Sequence, residues 1–278
     1  MCVILFAVGA HPRFPLIVAA NRDEAYARPA SDAAFWEDEP HVYGGRDLKR
    51  GGTWLGLASN GRFAAITNYR QRPRAGDAPR SRGDLTRDYL IGTAEPLEYL
   101  QGAEERRGQY RGFSLIAGSP HGLYFYSNRS NGIQPIPPGV HGLSNRLLDE
   151  PWPKVQRGVA VLTGLLERSE ADVTEALLAL LRDRTAAPDH LLPSTGIALE
   201  RERALSAAFI AGDTYGTRAS TVVLVSKDGD VLFCERTFGP HGTPLNSTDR
   251  RFNLSHTSGI KAPTRVAAPS SGAGYQPP

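Results

Sequence analysis

Apolar and polar positions alternate along this chain with two different periods, and the switches between them predict its elements. Met1-Cys2-Val3-Ile4-Leu5-Phe6-Ala7-Val8 is an unbroken apolar run with β-branched and aromatic members, the signature of a buried strand. A turn through Gly9, Ala10, His11, Pro12 and Arg13 leads to a second run, Pro15 to Ala20, which ends in the polar quartet Asn21-Arg22-Asp23-Glu24. From Ala25 to Pro40 the pattern is polar and punctuated by Pro29, Trp36 and Pro40, which predicts a loop with one aromatic anchor. The pairs Gly44-Gly45 and Gly51-Gly52 read as bends. Thr53 to Leu57 and Arg62 to Asn68 flank Ser59-Asn60-Gly61, and the Asn-Gly turn makes them a β-hairpin.

Residues 70–83 form a basic loop with Arg70, Arg72, Arg74, Arg80 and Arg82 set against a lone Asp77. Helices are predicted near 84–91, with Asp84 as its cap, and near 95–107. Phe113 to Ala117 and Leu123 to Ser127 are strands, and Ile133 to Leu143 is extended and ends in Ser144-Asn145. The period then becomes helical over 153–168 and 171–182, with Val155, Val159, Leu162, Leu165 and Leu166 on one face of the first. Val173, Leu177, Leu180 and Leu181 mark the face of the second. After a linker from Arg184 to about Gly196, Glu200 to Ile210 reads as a short helix. Thr221 to Ser226 and Asp230 to Arg236 close the pattern as a hairpin. Strands come first, helices lie between, and strands return. That order predicts an α+β fold of two mainly antiparallel sheets between helix layers, as a single domain over 1–256. Residues 257–278 are rich in Ser, Gly, Pro and Ala and predict a disordered tail.

Composition narrows the class without naming a chemistry. With 40% apolar and 22% charged residues the chain can build a proper core. A net charge of +3 permits acidic ligands without demanding nucleic acid, and no aromatic residues alternate with the arginines of the basic loop. Cys2 and Cys234 are too few for a disulfide framework, and no paired metal-ligand spacing is present. No apolar run approaches the ~20 residues of a membrane span. The N-terminus lacks the basic region and cleavage site of a secretory signal. A reducing cytoplasm is the expected compartment. His11, His41, His121, His141 and His241 sit in Pro/Gly turns, where a solvent-facing side chain is expected.

Candidate chemistry collects at strand ends: Cys2, the Asn21–Glu24 quartet, Asn68, Asn145, and Thr217-Arg218-Ala219-Ser220-Thr221. Each has a plain structural alternative, such as a buried thiol, a turn ion pair or a turn asparagine. Together they fit a different role. Removal of Met1 would make Cys2 the first residue, and its α-amine, with a reference pKa near ~7.7–8.0, could serve as general base for its own thiol. Asn68 or Asn145 could donate to a developing oxyanion, an interaction worth roughly 3–4 kcal/mol in known cases. Arg22 and Arg218 could hold a thiolate or a substrate carboxylate in a guanidinium fork.

The segments Met1-Cys2, Asn21-Arg22-Asp23-Glu24, Gly44-Gly45-Arg46-Asp47, Gly51-Gly52-Thr53-Trp54-Leu55-Gly56, Thr67-Asn68, Leu143-Ser144-Asn145 and Gly216-Thr217-Arg218-Ala219-Ser220-Thr221 occur in order. They resemble the NRDE family, also called the transport and Golgi organisation protein 2 family, from residue 1 to about 256. That family in turn looks distantly like the cysteine-type N-terminal-nucleophile hydrolases, which implies a four-layer αββα sandwich. The resemblance implies a catalytic set of Cys2, Arg22, Asp23, Asn68, Asn145 and Arg218, with Asn21, Glu24, Arg46, Trp54 and Arg70 meeting the substrate. The expected activity is amide hydrolysis or acyl transfer on a small amide or thioester, with no cofactor required. The alternative implied by the family's associations is a non-catalytic carrier of haem or acyl-CoA and other lipids, whose propionates or phosphates the loop arginines could meet.

Overall fold

The computed structural model of the chain describes residues 2–72 and 78–254. The tail expected from residue 257, and Arg74 and Asp77 of the basic loop, lie outside the described residues. Thirteen strands and five α-helices follow in the described residues: β1 Cys2–Val8, β2 Leu16–Ala25, β3 Ala30–Phe35, β4 Val42–Asp47, β5 Leu55–Ala58, β6 Phe63–Asn68, α1 Arg82–Ile91, α2 Pro96–Glu105, β7 Phe113–Ser119, β8 Gly122–Ser127, β9 Gln134–Pro135, β10 Gly139–Leu143, α3 Pro153–Leu165, α4 Glu170–Leu180, α5 Leu199–Ala204, β11 Tyr215–Val225, β12 Asp230–Phe238 and β13 Pro244–Asn253.

They make two antiparallel sheets. One has the order β10-β1-β2-β11-β12-β13, the other β3-β4-β5-β6-β7-β8-β9. Along β1 the alternation of a pleated strand sorts the side chains. Ile4, Phe6 and Val8 point into the space between the sheets, where they meet Leu57, Phe63, Phe125, Val223 and Phe233. Val3, Leu5 and Ala7 point the other way, onto Leu162, Leu165, Val173 and Leu177 of α3 and α4. The outer face of the second sheet is covered by α1 and α2 through Leu85, Tyr89, Leu90 and Leu100. The result is an α+β fold in four layers, helix–sheet–sheet–helix, as expected. Both sheets are buried on both faces, which explains why the central strands read as continuous apolar runs rather than as alternating ones.

Several elements differ from the expectation, each for a physical reason. The quartet Asn21–Glu24 does not terminate β2 but lies inside it, because β11 continues to pair opposite Asp23, Glu24 and Ala25. The expected loop 25–40 contains β3, an edge strand with half-exposed side chains. Gly44 and Gly45 are strand residues of β4, not bends. At Gly44 an added Cβ would stand 2.7 Å from the Leu55 carbonyl oxygen, so only glycine permits this spacing of β4 and β5. The anchor Trp36 is buried and donates its indole N–H to the Gly44 carbonyl at 2.9 Å. Helix α1 begins earlier than expected. Ser81 occupies its cap, and Asp84 accepts from the Ser81 N–H at 3.2 Å instead of capping the helix itself. The helix expected to reach Ile210 stops at Ala204, because the N–H groups that would extend it donate elsewhere: Phe209 to the Asp183 carbonyl and Ile210 to Thr217 Oγ1. Strand β13 carries no apolar alternation, since it is a largely exposed edge held by its pairing with β12. His11 and His141 are buried rather than solvent-facing. The His11 ring accepts from the Arg13 and Phe14 N–H groups, and the His141 ring bonds Asp149 at 2.7 Å and the Pro137 carbonyl at 2.9 Å.

Two contacts link the fold to the cleft described next. Gly51 turns the chain with φ +71°, and Gly52 then meets the first turn of α1, where an added Cβ would lie 2.5 Å from the Gly83 carbonyl carbon. Glu235 ties the sheets together: its carboxylate on β12 accepts from the Ala33 N–H of β3 at 2.6 Å.

The Gly52→Ala change is expected to cost about 1–3 kcal/mol, the range of an overpacked contact with little room to relax, measured by chemical denaturation. Glu235 has its pKa pushed up to about 7, by burial first. A raised folded-state value favours the fold fully below the unfolded pKa, and that favour is lost as pH rises through about 7. Wild type is therefore expected to lose roughly 3 kcal/mol more than Glu235→Gln between pH 4.5 and 8, read as the difference of their unfolding free energies.

Candidate active-site cleft

The pairing register of three strands builds the centre of the site. Cys2 lies opposite Arg22 in the β1–β2 ladder, and Arg22 lies opposite Ala219 on β11. Cys2 continues the inward row of Ile4, Phe6 and Val8, so it is the last member of the inter-sheet row. There the apolar core gives way to a cleft of about 300 Å³. Cys2, Arg22, Asp23, Glu24, Arg46, Trp54, Asn68 and Arg218, all expected from the sequence, line this cleft. Arg28, Asp32, Thr53, Arg82 and Glu235 line it with them.

The backbone of Cys2 is clasped by the ends of β10 and β6. Its N–H donates to Asn145 Oδ1 at 3.3 Å, and its carbonyl accepts from the Ser144 hydroxyl at 3.0 Å. Asn145 Nδ2 donates onward to the Asn68 carbonyl at 2.9 Å, and the Thr67 hydroxyl donates to the Ser144 carbonyl at 2.6 Å. Asn145 is fully buried and does not line the cleft; it holds the Cys2 nitrogen from behind. Asn68 presents itself to the cleft. Burial raises the Cys2 thiol above its ordinary value and the Asp23 carboxylate adds to the effect, while the Asp23 main chain hydrogen-bonds the sulfur and opposes it.

A bulge between Thr217 and Ala219 decides the neighbouring charges. Thr217 falls opposite Asp23 and donates its hydroxyl to Asp23 Oδ1 at 2.7 Å. Arg218, the extra residue, is swung out so that its guanidinium meets the Ala25 carbonyl at 3.3 Å and the Arg28 carbonyl. Asp23 is buried and its pKa is raised, chiefly by desolvation, against the pull of Lys154. Lys154 is itself buried, donates to the Leu205 and Ala207 carbonyls, and has its pKa pulled down to about 8 by burial, with Asp23 acting in the opposite direction.

Two residues expected to touch substrate do not reach the cleft. Asn21 alternates to the helix side of β2, where its amide donates to the Leu181 and Ala208 carbonyls and accepts from the Ser220 hydroxyl at 2.6 Å. Period two places it on the face opposite Arg22. Arg70 is buried in an ion pair with Glu202 and lies 4.5 Å over the Trp152 ring. Arg46 lines the cleft but spends its guanidinium on Asp38, while stacking 4.6 Å from the Trp36 ring. Glu24 Oε1 accepts from the Ala25 N–H at 2.9 Å. Cys234 sits with the helix-side core, away from Cys2, and its thiol is pushed up to about 12 by burial and by Asp249.

Sequence reasoning missed Arg28, Glu235 and Lys154. For two of these a signal existed. Glu235 continues the inward row Val231, Phe233, and Lys154 falls on the buried stripe of α3 with Gly158, Leu162 and Leu165. A charge in such a register marks either a partner or a site. Arg28 carries no such mark. No histidine is among the described residues that line the cleft, and no group of His, Cys, Asp and Glu among the described residues is placed to hold a metal ion.

The chain is 37% identical over 276 residues to the Transport and Golgi organization protein 2 homolog of Bos taurus, covering 91% of this chain and 99% of that protein. It is 31% identical to Transport and Golgi organization protein 2 of Drosophila melanogaster, covering 87% and 95%. Among solved structures, the conjugated bile acid hydrolase of Clostridium perfringens, as a C2A mutant, is similar with a TM-score of 0.47 at 8% identity over 94% of this chain and 95% of that one. The Caenorhabditis elegans ortholog of N-acylethanolamine-hydrolyzing acid amidase is similar with a TM-score of 0.46 at 11% identity, over 80% and 92%. The match to the Transport and Golgi organisation 2 family runs from residue 1 to residue 240, and the chain belongs to that family.

Proposed function

We propose that the chain is an N-terminal-nucleophile amidohydrolase or acyl-transfer enzyme for a small amide or thioester, with Cys2 as nucleophile once Met1 is removed. One observation carries the reading: Cys2 lines the cleft while its own nitrogen is held by Asn145 Oδ1 at 3.3 Å, and no histidine lines the described cleft. A thiol raised by burial is protonated at neutral pH and needs a base. The amine freed by loss of Met1 is the base closest to it.

Cys2 Sγ attacks the carbonyl carbon, and its proton passes to the Cys2 amine. The ammonium returns that proton to the leaving nitrogen or sulfur as the scissile bond breaks, leaving a thioester on Cys2. Water adds to this thioester, giving its proton to the amine; the C–S bond breaks, sulfur is reprotonated, and the acid leaves. Asn68, which lines the cleft, supplies an amide for the developing oxyanion, and Arg22 beside Cys2 holds an anionic part of the substrate. Asn145 acts as a positioning residue, since its amide nitrogen is engaged with Asn68. Trp54, Ile66, Phe238 and Leu245 give the cleft an apolar wall for an acyl chain.

The expected result is a mature protein lacking Met1 that gains the mass of one acyl group at Cys2 from an activated acyl or β-lactam probe, and no such gain in Cys2→Ala. Retention of Met1 with no acylation would sink the mechanism. Saturable binding of haem or a long-chain acyl-CoA that survives Cys2→Ala would favour a carrier instead. Because the base acts in its free form, the acylation rate is expected to fall as pH drops below the pKa of the amine, by about tenfold per unit, when followed by mass spectrometry across a pH series.

A further inference from the structure

The charges that line the cleft are not all answered by one another. Asp47 and Glu24 both meet Arg28, Asp47 at 3.0 Å through its Nε and Glu24 at 4.0 Å. Asp23 takes the Thr217 hydroxyl and the charge of Lys154. Arg46 is engaged by Asp38, Arg82 gives one guanidinium nitrogen to the Gly112 carbonyl at 3.1 Å, and Arg218 meets the Ala25 and Arg28 carbonyls. The remaining charges lie at two ends. Beside Cys2, Arg22 forms no ion pair and no side-chain hydrogen bond among the described residues. Where β12 meets β3, Glu235 and Asp32 both line the cleft, and no arginine or lysine among the described residues forms an ion pair with either.

Glu235 is the sharper case, being only 4% exposed. Its Oε1 accepts from the Ala33 N–H at 2.6 Å, but Oε2 has only the Thr221 hydroxyl, at 3.4 Å, near the limit of a hydrogen bond. Gly45 of the facing sheet leaves Oε2 uncovered, since even an added Cβ there would stand 3.9 Å away. Asp32 adds a second negative charge, with one oxygen taken by the Asn246 amide at 2.7 Å. Burial, and then the charge of Asp32, push the Glu235 carboxyl up to about 7 against the pull of the Ala33 N–H. A buried carboxylate short of both a counter-charge and a donor is costly. An ammonium group supplies both, with one positive charge and three N–H donors.

Strand register sets the distance between the two ends. The row Cys2, Arg22, Ala219, Thr237 crosses β1, β2, β11 and β12, and Glu235 lies two residues from Thr237 on the same face. Three strand spacings are roughly 14 Å. The small side chain of Ala219 keeps the floor of the cleft low between them. An amine at Glu235 and a carbonyl at Cys2 therefore belong to opposite ends of a chain, not to adjacent carbons.

We propose that Glu235 and Asp32 bind the protonated amine of a substrate whose carbonyl is attacked at Cys2, which makes the substrate class an ω-aminoacyl amide or thioester. The inference rests on the hydrolase reading for the position of the carbonyl, while the amine site can be tested without it. An ω-amino acid is the acid that such a substrate releases, with its carboxylate toward Arg22 and its ammonium toward Glu235.

The experiment has two arms on the full mature chain at fixed pH and ionic strength. In the first, ω-aminoalkanoates of increasing chain length and the matching ω-hydroxyalkanoates are titrated calorimetrically into wild type, Glu235→Gln, Asp32→Asn and Asp228→Asn. Asp228 is exposed at the far turn of the β11–β12 hairpin and serves as the charge control. At one chain length the amino acid is expected to bind at least tenfold tighter than the hydroxy acid. That advantage is expected to vanish in Glu235→Gln, to shrink in Asp32→Asn and to persist in Asp228→Asn. Glu235→Gln keeps an acceptor for the Ala33 N–H, and Asp32→Asn decides the matter should that variant fail to fold. No chain length favouring the amine in wild type, or an equal loss in Asp228→Asn, overturns the proposal. In the second arm, ω-aminoacyl thioesters are compared with plain acyl thioesters of the same length as acyl donors to Cys2. The aminoacyl donors are expected to react at least tenfold faster at one chain length, with the advantage lost in Glu235→Gln. Amine binding with no advantage in acylation overturns the substrate role. Amine binding with no acylation of Cys2 by any activated probe sinks the hydrolase reading, and the substrate role with it. Acylation by plain thioesters with no preference for the amine, in binding or in rate, overturns the proposal and leaves the hydrolase reading standing.

Discussion

The hydrogen-bonded register of β1, β2 and β11 is the constraint on which this molecule depends. Their sheet is covered on one face by the second sheet and on the other by α3 and α4, so every side chain of β1 has an assigned side. A slip of one residue would turn Cys2 toward the helices and drive Asn21 toward the cleft. The apolar rows above Cys2 forbid that slip, since Ile4, Phe6, Val18 and Val223 would all exchange faces. Cys2 is therefore aimed into the cleft by the core, at no cost in flexible loop structure. The bulge at Thr217–Ala219 is the one local departure from the register, and it serves the same end by placing Thr217 on Asp23 and freeing Arg218.

Beneath Cys2 the interior is polar. Asp23, Lys154, Arg70 and Glu202 are all buried, and such charges are tolerated only when compensated. Arg70 and Glu202 form a direct pair, with Trp152 stacked on the guanidinium and the Thr195 hydroxyl on the carboxylate. Lys154 and Asp23 attract each other, each favouring the other's charged form, and Lys154 also satisfies two carbonyls of the irregular segment after α5. These contacts join the helix layer to the strand that carries Arg22 and Asp23. A hydrophobic substitution would pack as well but would not fix the orientation of the strand end, so we read the network as a positioning device for the cleft.

The cleft lies where the two sheets part, at strand ends, which leaves its other walls to connections. Gly51 and Gly52 bring the β4–β5 loop against the first turn of α1, and that contact sets Ser81 and Arg82 at the edge of the site. The basic character of the region is thus assembled from separate connections around a rigid floor. Glu235 lines the same cleft and its carboxylate also joins β12 to β3, so one side chain shapes both the cleft wall and the contact between sheets.

The apolar runs of β1, β2, β11 and β12 and the helical stripes of α3 and α4 were legible in the sequence, because burial on both faces leaves an unmistakable composition. The ordered motifs around Cys2, Arg22, Asp23, Asn68 and Arg218 were legible as well, and the structure brings them to one cleft. The edge strands β3 and β13 were not legible, since half-exposed strands held by a neighbour's hydrogen bonds need no alternation of their own. Nor were the separate fates of Asn21 and Arg22, or of Arg70 and Arg82: adjacent residues in a strand face opposite ways, and arginines in one loop diverge according to the partners they meet. What the sequence by itself determined was which segments had to be buried, through their apolar period. Tertiary structure alone decided which polar side chains share the cleft, because that depends on pairing register and on contacts between residues more than a hundred positions apart, such as Cys2 with Asn145.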